Sequence, residues 1–224
     1  MKIVLALVWC GFATAAMPAA DKYTVKHEQT EPPKELNDAV RELFAKECEV
    51  VKDAAGGTVA EIWFRTEIPG KGTPDQVKNG LTYRELVETS IVAAVRFPTA
   101  FIDYRKQEIA AGVYTLRLAF QPENGDHKDT APYAEFALLC PADKDTKTDE
   151  MEPKALYKLS FASAGGEHPG VMLLYPNSEK GDGPKLTDRG AGVWTLNVRR
   201  KVTAEVGTAN LGFALTVAGH SKLR

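Results

Sequence analysis

After Gly112 the chain reads Val-Tyr-Thr-Leu-Arg-Leu-Ala-Phe. Tyr114, Leu116, Leu118 and Phe120 fall on one phase, and Val113, Thr115, Arg117 and Ala119 on the other. A repeat of two sends alternate side chains to opposite faces of a strand, so this segment cannot bury its apolar residues as a helix. The pattern recurs. Ala60, Ile62 and Phe64 oppose Val59, Glu61, Trp63 and Arg65; Ile91, Ala93, Val95 and Phe97 oppose Val92, Ala94 and Arg96. Trp194, Leu196 and Val198 share a phase, as do Leu211, Phe213, Leu215 and Val217. Shorter runs at Tyr23–His27, Cys48–Asp53, Ala134–Cys140 and Val171–Tyr175 read as further strands. Ala54-Ala55-Gly56-Gly57 marks a hairpin, and the Gly- and Pro-rich stretch Pro69–Gly80 marks a loop.

Helical signals are few. Pro32 and Pro33 suit a first helical turn, and Leu36, Ala39, Val40, Leu43 and Phe44 then form one apolar stripe, predicting an N-terminal helix to about Lys46. Short helices are expected at Tyr83–Glu88 and within Asp149–Ser163, where Asp149 and Glu152 have capping-box spacing. Many short strands with peripheral helices predict a mainly β fold: an antiparallel two-sheet sandwich with an N-terminal amphipathic helix and one or two short peripheral helices. A partly closed β-barrel is the alternative.

The first twenty residues read differently. Lys2 precedes an apolar run from Ile3 to Phe12, and small residues Ala13-Thr14-Ala15-Ala16 follow. That is the order of a cleavable secretory signal, and the run is too short to span a bilayer. Cleavage fits after Ala15 or after Ala20, just before polar Asp21; Trp9 is too bulky to precede a lipid-bearing Cys10. The expectation is a signal peptide over 1–20 and a single domain over 21–224, secreted or periplasmic. The 28 basic and 30 acidic residues give a net charge of −2, interspersed along the chain. This gives no footprint for nucleic acid, and no second apolar run is long enough to be a transmembrane segment. Export removes Cys10 and leaves Cys48 and Cys140, each on the apolar phase of its strand. They are candidates for a disulfide between inward faces, or for two buried thiols.

At Gln107-Glu108-Ile109-Ala110-Ala111-Gly112-Val113-Tyr114-Thr115-Leu116 the chain resembles a turn-and-strand element of secreted bacterial β-sandwiches. The run Asp103-Tyr104-Arg105 through Gln121–His127, and Glu167-His168-Pro169, resemble an uncharacterised family of such proteins. The resemblance implies export and a β-rich domain, and no activity.

Catalytic signatures do not emerge. There is no Gly-x-Ser-x-Gly elbow and no Gly-rich phosphate loop, and the acidic pairs crowd solvated loops. Asp103-Tyr104-Arg105 suggests an internal Arg–carboxylate pair. Two turn-rich segments carry histidines, Asn124–Asp129 and Gly165–Pro169. If they converge, His127 and His168 with Asp126 or Asp129 present imidazole and carboxylate to a divalent metal. Trp63 lies opposite Ile62 and Phe64, placing it on the outer strand face, exposed to stack on a sugar or protein, or packed beneath the N-terminal helix. The leading expectation is an exported, non-catalytic module binding a glycan or an envelope protein. The alternative is a metal-binding protein or metal-dependent hydrolase centred on His127 and His168.

Overall fold

The computed structural model describes residues 22–121, 131–177 and 179–222. Thirteen strands dominate them: β1 (Tyr23–Glu28), β2 (Cys48–Asp53), β3 (Thr58–Phe64), β4 (Ile68–Pro69), β5 (Ile91–Phe97), β6 (Phe101–Ile102), β7 (Glu108–Ile109), β8 (Gly112–Phe120), β9 (Glu135–Pro141), β10 (Gly170–Pro176), β11 (Lys185–Asp188), β12 (Trp194–Ala204) and β13 (Gly207–Ala218). Three α-helices accompany them: α1 (Asp38–Arg41), α2 (Pro74–Asn79) and α3 (Pro153–Phe161). Ten strands form one continuous antiparallel path, β1-β2-β3-β5-β8-β9-β10-β13-β12-β11, with β4 added parallel to β12. β6 and β7 make a separate small hairpin.

The fold is mainly β, as the alternation requires, but the path does not break into two separate sheets. β10 is the corner. Its first half, Gly170–Leu173, pairs with β9, and its second half, Leu174–Pro176, pairs with β13. One strand serving both neighbours in turn bends the sheet into a curled half-barrel without ending its ladder.

Alternation sorts the side chains onto two faces. The concave face carries the main core, where Val51, Ile62, Leu116, Leu139, Leu196 and Phe213 meet. The convex face is covered piecemeal. Over β2, β3 and β5 the segment around α1 buries Leu36, Val40 and Phe44 against Val50, Trp63 and Ala94. Over β9 and β10, Leu156 of α3 packs with Leu138, Cys140 and Leu173. The β5 phase departs from strict alternation at its start. A register shift between Ile91 and Ala93 puts Ile91 on the convex side with Ala94, and Val92 in the core.

The N-terminal helix expected up to Lys46 is reduced to the four residues of α1. Asn37 explains the late start: its side chain accepts from Ala39 N, so the helix begins after it. The early end has a cause too. Ala45 N donates to Phe64 O, and Phe44 bridges Arg65, so the chain turns to strand pairing. The expected stripe is still buried at Leu36, Val40 and Phe44. α3 falls within the expected Asp149–Ser163, but Glu152 is its N-cap and no side chain caps it, so the capping box does not form. α2 was not expected in the Pro69–Gly80 loop; there Thr73 and Gln76 make a reciprocal capping box. Among the described residues no helix is long and apolar enough to cross a membrane.

Candidate ligand-binding face

The strand corner builds the most distinctive surface. Tyr83 sits in a 3-10 turn, Tyr83–Glu85, whose Thr82 and Glu85 cap each other. Its hydroxyl donates to Tyr175 O and accepts from Ala214 N, both at 2.9 Å. A phenol thus bridges the β10 and β13 backbones where Tyr175 and Ala214 are partnered. Burial pushes this phenol well above its ordinary range, so it stays protonated and can donate. Fixed in this way, Tyr175 turns its ring to the convex face.

Cross-strand register then lays out a row. Tyr175 pairs with Ala214, and Ala214 pairs with Asn197 of β12. Two strand spacings, about 10 Å, separate Tyr175 from Asn197, and the small Ala214 forms the floor between them. Tyr133 meets Tyr175 edge-on with ring centroids 5.0 Å apart, and it is 37 % exposed. Arg189, just after β11, lies across the row with its guanidinium carbon 5.4 Å from the Tyr175 ring centroid.

Buried polar groups hold that arginine. Its Nε donates to Thr195 Oγ1 at 2.9 Å, and its Nη2 to Asn197 Oδ1 at 3.1 Å. Asn197 Nδ2 in turn donates to Thr187 Oγ1 and to Lys185 O. Thr187 donates to Glu179, whose carboxylate also receives Lys185 Nζ at 2.6 Å. These two bonds, Lys185 first, hold the Glu179 carboxyl below the usual carboxylate range. Whereas apolar clusters cover the convex face over β2–β5 and β9, its floor here is Thr195, Asn197 and Thr216, all buried and polar. The arrangement offers a tyrosine pair and a cation held from below by buried polar groups.

The residues singled out from the sequence fall elsewhere. Trp63 is fully buried and cannot meet a ligand: it packs under Leu36, Val40 and Phe44, and its Nε1 donates to Thr30 O at 2.9 Å. The convex phase was read correctly, but the α1 segment covers it. His168 is exposed on the loop before β10. Asp126, His127 and Asp129 lie outside the described residues. Among the described residues no group of three His, Cys, Asp or Glu side chains could hold a metal ion.

Cys48 and Cys140 are both buried free thiols. Their apolar phase is the convex one: Cys48 joins the cluster under α1 and Cys140 the cluster under α3. Four strand spacings separate β2 from β9 along the sheet, about 19 Å, far beyond disulfide reach. The inward-facing bridge is therefore replaced by two separate thiols.

Asp103 does not pair with the Arg105 guanidinium. It accepts the backbone N–H groups of Arg105, Gln107 and Val171, and so clips the β6–β7 hairpin to β10. The buried ion pair is instead Arg117–Asp145. Arg117 Nε and Nη2 meet the two carboxylate oxygens at 2.8 and 2.9 Å, Nη1 donates to Thr89 O and Asp149 O, and Nη2 also reaches Lys147 O. Every guanidinium donor is thus occupied, which makes this a structural node.

Tyr175, Arg189 and Asn197 escaped the sequence reading. Tyr175 and Asn197 lie on the non-core phase of β10 and β12 and Arg189 follows β11, and no local pattern marks any of the three as a site. No protein-family model, no curated protein and no solved structure matches this chain.

Proposed function

We propose that this protein is an exported, non-catalytic binding module of the cell envelope or exterior, and that its ligand is a glycan seated on the Tyr133–Tyr175 pair. The observation that carries the reading is that pair, with one ring over a third exposed and the other half-buried, set beside the fixed Arg189 guanidinium. Sugar rings present apolar C–H faces to aromatic rings and hydroxyls to polar side chains. The tyrosine pair bordered by the half-buried Arg189 guanidinium offers both kinds of contact. Export is supported by the charge, apolar run and small-residue order of residues 1–20.

The test is a glycan array probed with wild type, Tyr175→Ala and Tyr133→Ala. Tyr175→Ala keeps the backbone carbonyl that Tyr83 holds, so the corner should survive. Loss of one stacking partner, about 1 kcal/mol or more, is expected to weaken the retained glycan roughly fivefold to tenfold in each variant. An array on which wild type retains nothing would end the reading.

A further inference from the structure

Arg189 carries the argument further. Arg84, Arg96, Arg117 and Arg200 each reach a carboxylate within 3.2 Å. Arg189 has no ion pair among the described residues, although it is half-buried. Its fixed partners, Thr195 and Asn197, are neutral; the nearby Glu179 feels the Arg189 charge but directs its hydrogen bonds to Lys185 and Thr187. A guanidinium has two forks. The one formed by Nε and Nη2 is held by Thr195 and Asn197. The other, formed by Nη1 and the second Nη2 hydrogen, makes no hydrogen bond among the described residues. With its guanidinium carbon 5.4 Å from the Tyr175 ring centroid, the group adjoins the tyrosine pair on which a sugar ring would stack.

Resting on the glycan reading above, we infer that the ligand is an acidic glycan and that the open fork of Arg189 receives a uronate carboxylate. The match is geometric as well as electrostatic. A planar carboxylate accepts two parallel N–H bonds from a planar fork, which a tetrahedral sulfate or a lone hydroxyl satisfies less well. The buried floor holds the guanidinium in place before the ligand arrives, so little side-chain freedom is lost on binding. Tyr175 supplies the stacking face, and Arg189 selects for the acid.

Calorimetric titration with oligogalacturonate and with its fully methyl-esterified form separates the two contributions, because the ester keeps the ring and loses the charge. Cello-oligosaccharides and a sulfated dextran oligomer complete the panel, and wild type is compared with Arg189→Met, which keeps an apolar stem over Tyr175. The expected result is that wild type binds the acid at least tenfold more tightly than the ester. Arg189→Met should bind acid and ester alike. Equal wild-type affinity for acid and ester, unchanged acid binding in folded Arg189→Met, or binding of the neutral or sulfated oligomers alone would overturn the uronate assignment and leave oligosaccharide binding standing. Retention of none of these oligosaccharides by wild type would overturn the uronate assignment, and the glycan array then decides the glycan reading by itself. If Arg189→Met fails to fold, the acid–ester comparison on wild type decides.

Discussion

At the scale of single residues, burial sets chemistry. Arg117 and Asp145 are both fully enclosed, and each satisfies the other. Removing one charge strands its partner away from water, so Asp145→Asn is expected to cost about 3–5 kcal/mol in urea unfolding. The double change Arg117→Met, Asp145→Leu should recover a large part of that loss. The two thiols respond to the same physics. Burial raises Cys48 from an ordinary 9.0 to about 11, and raises Cys140 as well. A folded-state pKa above the unfolded one favours the neutral thiol. Stability from this source is therefore complete below about pH 9 and falls as pH rises toward 11. Peptides containing Cys48 and Cys140 should resist alkylation at pH 8 in the native protein and react after denaturation, each by itself. Mass spectrometry reads both outcomes, and a Cys48–Cys140 crosslinked peptide would contradict the separation seen across the sheet.

At the scale of elements, the β10 corner decides which strands meet. Gly170 opens it at a place where no side chain fits: a Cβ would clash with Ser163 Oγ and lie 2.9 Å from Ile109 Cδ1. Gly170→Ala is expected to destabilise by about 1–3 kcal/mol, measured by chemical denaturation. Tyr83 closes the other half of the corner. Tyr83→Phe removes a hydroxyl that serves Tyr175 O and Ala214 N, leaving both buried backbone groups without it. A loss of about 1–3 kcal/mol is expected, together with faster hydrogen exchange at Ala214.

At the scale of the whole molecule, the curled sheet brings its two edge strands close without joining their ladders. β1 and β11 approach, and the Tyr23 and Trp194 rings meet edge-on at 5.5 Å. At the other end of the seam Glu49 on β2 receives Arg200 Nη2 of β12 at 2.9 Å and also contacts His27 on β1. This almost fully buried carboxylate ties both sides of the curl. Glu49→Gln is expected to cost about 1–3 kcal/mol and to speed amide exchange along β1 more than along β8, which lies mid-sheet.

Alternation by itself located the longer strands and, away from their bulges, which of their residues share a face, whereas β4, β6, β7 and β11 carry no such pattern. Ala60, Ile62 and Phe64, or Leu196 and Val198, reach the core as their phase dictates, because a period of two leaves a strand no other choice. Only the tertiary structure decided what lies over each face. The phase of Trp63 says convex and is silent on whether solvent or α1 meets it. Cys48 and Cys140 likewise carry an apolar phase with no record of the three strands between them. The tyrosine and arginine surface depended on the same missing information. Tyr133, Tyr175, Arg189 and Asn197 come together through pairings between strands distant in sequence and through a corner set by Tyr83. Local periodicity encodes a side chain's direction, whereas neighbours across a sheet follow from strand order, which no local pattern contains.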